Sequence, residues 1–249
     1  MSPAGSYRDM IRRRLLLLAL LLVLLAPLTM LSLRIGSFHI PTATILKSLL
    51  TGSSDSLIQH LIWDIRLPRT LAALVAGAGL ALAGSVMQTL LSNPLAAPST
   101  LGVSQGAAFG ATVAIILFKV GYLYPAASAG SLLTAHGTIA ACAFCGSLLS
   151  ILAILAISTF RQLSSEAMIL AGVAMGAFLS AGTMLLQYFG DDSQVAASLI
   201  WTFGDLGKAG WQEIRLLTLL LFPISGYLLT RAWCLNSLQW GTEIGRAHV

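Results

Sequence analysis

Long apolar segments constrain this chain more than any other feature of its sequence. Of the 249 residues, 57% are hydrophobic and 9% are charged, whereas a soluble domain carries about 25% charged residues. An apolar segment of about 20 residues crosses a hydrocarbon core of about 30 Å as an α-helix. Because backbone polar groups find no water in lipid, such segments must be helical. The sequence therefore predicts an all-α integral membrane protein, a polytopic helix bundle.

The predicted bundle has about six transmembrane helices. They cover residues 14–33, 70–91, 101–120, 135–158, 166–189 and 213–232. An even number of crossings places both termini on the same side of the membrane. The segment 34–67 is then a long outer loop. The segment 190–212 also lies outside, with a short non-spanning helix predicted near its middle, at 195–206.

A basic cluster at the N-terminus sets the orientation. Four arginines precede the first apolar segment, namely Arg8, Arg12, Arg13 and Arg14. That segment reaches spanning length and no A-x-A-like cleavage site follows it, which favours a retained span over a signal peptide. Positive residues hold a terminus in the cytoplasm. We therefore predict a multi-pass membrane protein with a cytoplasmic N-terminus.

Positive charge elsewhere in the chain does not indicate nucleic-acid binding. The net charge is +5, but the basic residues flank apolar segments and form no patch on a soluble face. Basic residues are as frequent in the predicted outer segments as in the inner ones. The orientation consequently depends on the N-terminal arginines, and the outer arginines need a separate explanation.

Small residues recur at every fourth position in three predicted helices. This spacing keeps them on one helix face, where missing side chains let neighbouring backbones approach closely in lipid. The sequence predicts helix packing at the glycines of these faces. They are Gly77, Gly102, Gly106, Gly110, Gly172 and Gly176.

One motif resembles that of a serine hydrolase. Residues 102–106 read G-V-S-Q-G, which matches G-x-S-x-G, a motif that works on a strand-to-helix turn. No strand is predicted here, and the one histidine within a predicted span, His136, lies near the opposite membrane face, about 30 Å from Ser104. Helix packing is the favoured interpretation. An intramembrane serine hydrolase using Ser104 stays open as an alternative.

The remaining chemical groups favour a chain without cofactor or metal. Cys142 and Cys145 lie among apolar residues, and His39 and His60 have no metal-ligand spacing. No G-x-x-x-x-G-K-[ST] segment is present, so any ATP is used by a partner chain. No carboxylate lies mid-span, which disfavours an ion-coupled secondary carrier, the second alternative.

An ordered series of motifs over residues 60–240 resembles the FecCD-type permeases. These are the membrane subunits of type II, binding-protein-dependent ABC importers for iron-siderophore, haem or cobalamin. The matching segments are R-L-P-R-T-L at 66–71, A-G-A-G-L-A-L-A-G at 76–84, Gln88, N-P-L-A-A-P at 93–98, L-G-V-S-Q-G-A at 101–107, L-A-G-V-A at 170–174 and W-T-F-G at 201–204.

The resemblance implies a transport subunit of the bacterial cytoplasmic (inner) membrane that works by alternating access. Its partners are cytoplasmic ABC ATPase subunits, a periplasmic substrate-binding protein and a second permease subunit, either a second copy or a paralogue. Arg66 and Arg69 match the family's docking arginines, which pair with glutamates of the binding protein. This role accounts for arginines on the outer side. The substrate is not identified by the sequence, and an iron-siderophore is the family's commonest cargo.

The resemblance also assigns cytoplasmic gates and a translocation path. The first gate is the turn Asn93-Pro94-Leu95, in which two nearby prolines disfavour a helix. The second precedes the fifth span, at Ser164 and Ser165, either of which is a candidate helix cap. Thr183 and Gln187 in the fifth span are candidate path-lining residues.

The C-terminal end departs from the family pattern. Residues 1–240 correspond to the first part of the permease transmembrane domain, about six helices of an expected ten or so. Residues 241–249 match the start of a truncated cytoplasmic coupling segment, and the last five fit poorly enough that an assembly or cloning artefact stays open. We expect a chain that stops there to transport nothing alone.

Overall fold

All regular structure in the described residues is helical. The computed structural model describes residues 3–36, 38–52, 56–120, 129–161 and 163–238, so the segment 241–249 lies outside the described residues. The α-helices are α1 (Pro3–Arg34), α2 (Thr42–Leu50), α3 (Ser56–His60), α4 (Leu67–Leu90), α5 (Val103–Ile116), α6 (Ala129–Arg161), α7 (Ser165–Tyr188), α8 (Asp192–Phe203), α9 (Trp211–Thr230) and α10 (Ala232–Leu238). A π-helix, Leu61–Arg66, joins α3 to α4, and 3-10 turns occupy Pro98–Leu101 and Leu206–Lys208.

Five helical stretches in the described residues are long and apolar enough to cross a bilayer. They are Asp9–Arg34, Ser56–Leu90, Gly137–Arg161, Ser165–Tyr188 and Trp211–Thr230, and the shorter apolar α5 accompanies them. The predicted polytopic all-α architecture is confirmed. The predicted short helix in the segment 190–212 is also present, as α8.

The third predicted span is shorter than expected. Helix α5 has 14 residues and a length of about 21 Å, so the prediction of a full span over 101–120 is wrong at both ends. Gly102 precedes the helix with φ 70°, and Lys119 follows it with φ 55°. Left-handed residues of this kind interrupt helices. The sequence pattern shows the apolar run but not these two backbone reversals.

The outer loop predicted over 34–67 is largely helical. It contains α2, and α3 continues through the π-helix into α4 as one helical stretch, Ser56–Leu90. Pro68 has no N–H to donate, and its ring crowds the carbonyl of Asp64 one turn earlier. The π-helix widens the preceding turn, and Leu67 donates its N–H to Ile62 O, five residues back. The chain thus passes a proline without leaving the helix.

Two compact units make up the fold. The first contains residues 1–76 and 206–220, and the second contains residues 77–205 and 221–249. In the first unit, a small apolar core joins the C-terminal end of α1 to α2 and the π-helix. Its buried members are Leu33, Ile40, Ile45 and Ile62. Most of α1 before Thr29 is exposed, as expected of a helix that contacts its unit only at one end.

The second unit is built around α5. Buried side chains of α5 pack on Ile139 and Ala143 of α6, and Ala197 and Trp201 of α8 cover the same cluster. The α5 members are Ala111, Ala114, Ile115 and Ile116. Two of these four side chains are alanine methyl groups, which lets the neighbouring helix axes come close together.

Backbone atoms of α5 and α6 are in direct contact at glycines. A Cβ placed on Gly106 would lie 2.6 Å from the carbonyl oxygen of Gly146, and one placed on Gly110 would overlap the carbonyl of Cys142. In lipid the hydrophobic effect does not draw helices together, so close van der Waals contact of this kind holds them to each other. Gly146 is not among the glycines predicted from the sequence to pack against a neighbouring helix, although it lies four residues after Cys142.

Helix α7 approaches the 3-10 turn before α5 in the same way. A Cβ on Gly172 would overlap the carbonyl of Thr100, and a Cβ on Gly176 would lie 3.4 Å from Gln105 Cδ. A Cβ placed on Gly102 would lie 3.2 Å from backbone atoms of both Gly172 and Gly176 of α7. Its neighbours would have to shift by a few tenths of an ångström to admit it, and its positive φ independently favours glycine.

Gly77 does not share this packing. Among the described residues, no atom lies within 4 Å of a Cβ built on Gly77, so its predicted helix packing has no partner in the described part of the chain and stays a prediction. The four-residue spacing is a property of the helix itself. Whether another segment covers that face is decided by the tertiary structure.

We expect Gly110→Ala to destabilise the protein although alanine favours helices by about 1 kcal/mol over glycine. The added methyl overlaps the Cys142 carbonyl, and overpacking costs about 1–3 kcal/mol. The measurement is the midpoint of heat-induced loss of the monodisperse peak in detergent. Gly77→Ala is the matched control and should leave the midpoint unchanged or higher. Equal midpoints for the two variants would contradict the packing.

Candidate functional site

Arg66 closes the C-terminal end of α1. It is the last residue of the π-helix, and it is 8% exposed. Its Nη1 donates to Leu33 O at 2.6 Å and Arg34 O at 3.1 Å, and Nη2 donates to Phe38 O at 2.5 Å. The last carbonyls of a helix have no intrahelical partner. A cation there also interacts favourably with the negative end of the helix dipole. Arg66 therefore holds α1 and the following segment to the π-helix.

Arg69 lies three residues later and is exposed. Its Nε donates to Gly207 O at 3.2 Å, which ties the first turn of α4 to the segment before α9 within the first unit. The structure therefore gives the two predicted docking arginines different environments. Arg69 is accessible to another protein, whereas the guanidinium of Arg66 is enclosed by backbone carbonyls. The prediction that Arg66 faces a partner is corrected for that reason.

Two tryptophans beside these arginines were not selected from the sequence. Trp63 donates its indole N–H to Ser48 O at 3.2 Å, and Trp211 donates its indole N–H to the carbonyl of Trp63 at 3.0 Å. Their ring centroids are 6.4 Å apart with planes tilted by 30°. A sequence signal exists, since both lie beside apolar segments, but only the fold pairs them across 148 residues.

The turn at Asn93-Pro94-Leu95 has a fixed backbone. Asn93 Oδ1 accepts the N–H of Leu95 at 2.9 Å, and Gln88 Nε2 donates to Pro94 O at 3.0 Å. Leu95 is 80% exposed. The residues predicted for the first gate thus form an Asx turn that presents one large apolar side chain outward. The turn is stiffened by the end of α4, through Gln88.

Ser164 begins α7 as its N-cap. Its Oγ accepts the N–H of Ala167 at 3.3 Å, so the predicted cap is present, and Ser165 is the first residue of the helix. A serine cap of this kind contributes about 1 kcal/mol to a helix. The second predicted gate is therefore the start of α7, where the Ser164 hydroxyl accepts a backbone N–H that has no partner within the helix.

Thr183 and Gln187 face the interior of the second unit. Thr183 is 9% exposed and donates to Leu179 O at 2.9 Å. Gln187 Nε2 donates to Ser198 Oγ at 2.9 Å, which joins α7 to α8. These contacts disagree with the prediction that the two polar groups line an open path. The exposed face of α7 carries Leu170, Val173, Phe178, Met184, Leu185 and Tyr188.

No hydrolytic or metal centre is assembled in the described residues. Ser104 is exposed on the first turn of α5, after a 3-10 turn, so G-V-S-Q-G does not form a strand-to-helix elbow. The side chain of His136 lies outside the described residues. Within the described ranges no group of three or more His, Cys, Asp or Glu residues is arranged to hold a metal ion. The geometry thus offers no support for the serine hydrolase alternative.

Comparison with known proteins gives one family over nearly the whole chain. Residues 20–248 match the FecCD transport family. A protein of Methanocaldococcus jannaschii that carries the name of an ABC transporter permease is 40% identical over 243 residues, which are 97% of this chain and 68% of that protein. The Fe(3+)-citrate import system permease YfmE of Bacillus subtilis is 32% identical, covering 94% of this chain and 66% of its own length. Permeases named for hemin and vitamin B12 also match.

A solved structure agrees with these relatives. It is described as an inward-facing conformation of a metal-chelate type ABC transporter, with a TM-score of 0.71 and 29% identity, covering 93% of this chain and 67% of that one. The chain therefore spans about two thirds of the length of the proteins compared in detail.

We expect Arg66→Gln to destabilise the protein by about 1.5–3 kcal/mol, the range for hydrogen bonds to a charged group. The change leaves carbonyls at the end of α1 without a donor. The measurement is thermal unfolding in detergent, together with amide hydrogen exchange at residues 33–36. Arg69→Gln is the matched control, because an exposed substitution usually changes stability by less than about 0.5 kcal/mol. Similar losses for the two variants would contradict the assigned role of Arg66.

Proposed function

This chain belongs to the FecCD transport family, and on that premise we propose that it acts as the membrane-spanning permease subunit of an ABC importer for a ferric chelate. The observation that carries the proposal is the family match over residues 20–248 on a multi-pass helical fold. The substrate class follows from the relative named for Fe(3+)-citrate and from the metal-chelate transporter of similar structure. Haem and cobalamin are the competing cargoes.

The proposed energy source is ATP hydrolysed by a separate subunit. The sequence contains no phosphate-binding G-x-x-x-x-G-K-[ST] segment, so we assign this chain no bound cofactor. Its own contribution is to pack, open and close around the substrate by alternating access. A cytoplasmic ATPase pair and a second permease subunit complete the proposed machine in the cytoplasmic membrane. The four arginines in the first part of α1 support a cytoplasmic N-terminus.

Docking of an external substrate-binding protein is proposed at Arg69. The side chain is exposed, and its guanidinium uses Nε for Gly207 O, which leaves the terminal nitrogens for a carboxylate of the partner. Arg66 has a different proposed role. By binding the carbonyls at the end of α1 it keeps the helical stretch that carries Arg69 in place.

Uptake in cells tests this function directly. Deletion of the gene from its source cell should abolish uptake of radio-iron supplied as the ferric chelate, and the complete gene should restore it. Inactivating the ATP-binding lysine of the partner ATPase should abolish uptake equally, because the proposed permease has no energy source of its own. The control is a sodium or proton ionophore. Uptake that survives loss of the ATPase but stops with the ionophore would support a secondary carrier instead.

The proposed cytoplasmic gate at Asn93–Leu95 rests on the exposure of Leu95 from a stiff turn. We expect Leu95→Cys, in a variant whose three native cysteines are replaced, to change its reaction rate with an impermeant maleimide several-fold when ATP and vanadate trap the transporter. The control is Met10→Cys, also exposed, near the start of α1. Its rate should not change. An unchanged rate at Leu95 in a transport-competent variant would contradict the gate.

A further inference from the structure

Two tryptophans and two arginines lie on segments of the first unit that hydrogen bonds join to one another. We propose that Trp63, Trp211 and Arg215, together with Arg69, form the surface on which the external substrate-binding protein docks, here termed the aromatic docking surface. The proposal rests on the proposed function and adds three contact residues to it. The occupant is a folded protein that presents carboxylates around an apolar centre.

Hydrogen bonds join the two segments that carry these four side chains. Arg69 Nε is 3.2 Å from Gly207 O, Trp211 Nε1 is 3.0 Å from Trp63 O, and Arg215 Nε is 3.3 Å from Trp211 O. The segment 207–215 is thereby held to the helical stretch Ser56–Leu90 at two points, and Arg215 follows one turn later on α9. A surface ordered before binding loses less entropy when the partner arrives.

Both guanidiniums keep donors for a partner. Arg69 and Arg215 each use Nε for a backbone carbonyl, and within the described ranges neither forms an ion pair. The terminal nitrogens of each provide the planar fork that suits a carboxylate. The neighbouring acids are otherwise engaged. Asp64 pairs with His60 at 2.7 Å, and Glu213 accepts the N–H of Gly210 at 2.9 Å.

The tryptophans are oriented for protein contact rather than for lipid headgroups. Tryptophans of a membrane-interface belt bury the ring and offer the indole N–H to the wet headgroup layer. Here both indole N–H groups donate to carbonyls inside the unit, Ser48 O and Trp63 O, while each tryptophan residue remains 36% exposed. Neither indole N–H is therefore left free for a headgroup. Rigid aromatic surface flanked by arginine is the composition of binding hot spots.

Binding of the substrate-binding protein encoded with the permease tests the proposal. The permease, purified with its ATPase subunits in lipid nanodiscs, is immobilised, and the dissociation constant is measured by biolayer interferometry. We expect Arg215→Glu and Trp211→Ala each to raise it at least about tenfold, as hot-spot residues do. Trp211→Phe, which keeps an aromatic ring, should lose much less.

Two further variants complete the design. Arg69→Glu serves as the reference for the proposed docking residue and should also weaken binding. Arg231→Glu serves as the matched control, because Arg231 follows the other end of α9 and belongs to the second unit, and it should leave binding unchanged. Thermal midpoints are measured for every variant. If Trp211→Ala does not fold, the dissociation constants of Arg215→Glu and Trp211→Phe still test the aromatic docking surface.

The outcomes separate the two proposals. Loss of binding in Arg69→Glu with normal binding in Arg215→Glu and Trp211→Ala would overturn the aromatic docking surface and leave the importer function standing. A lowered thermal midpoint with an unchanged dissociation constant would assign the tryptophans to membrane anchoring, and would also overturn it. No binding to the unmodified permease would overturn the proposed function itself.

Discussion

Direct contact between helix backbones is the interaction on which the second unit depends. In lipid, apolar side chains gain little by leaving their surroundings, so helices associate where their surfaces fit closely. The glycines of α5 provide that fit. Gly106 and Gly110 touch α6, and Gly102 lies against α7. Helix α5 has only 14 residues and is shorter than a bilayer span. Its contacts with α6, α7 and α8 nevertheless place it at the centre of the second unit.

A different interaction organises the first unit. There the helix α1 contacts the rest only at its C-terminal end, and a buried arginine supplies the donors which that end lacks. The π-helix makes this possible because it carries the chain past Pro68 without breaking the helix. Arg66 and Arg69 are consequently three residues apart in sequence but differ in environment. One stabilises the unit and the other remains available to a partner.

The polar side chains of α7 do not by themselves mark a translocation path for the substrate. Thr183 and Gln187 satisfy their hydrogen bonds inside the unit, whereas the exposed face of α7 is apolar. In an importer of this family a second subunit is proposed to complete the path. A substrate that passes without tight binding needs few fixed polar contacts, so an apolar exposed helix face is compatible with transport.

The sequence by itself determined the helical, membrane-spanning class, most span positions, the Ser164 cap and the non-helical turn at Asn93, because these depend on composition, length and local backbone chemistry. The resemblance in ordered motifs also sufficed for the family. Only the tertiary structure decided that Arg66 is enclosed while Arg69 is exposed, and that none of the described residues packs against Gly77. It also paired Trp63 with Trp211. These properties depend on contacts between segments far apart in the chain, and a periodic pattern describes one helix at a time.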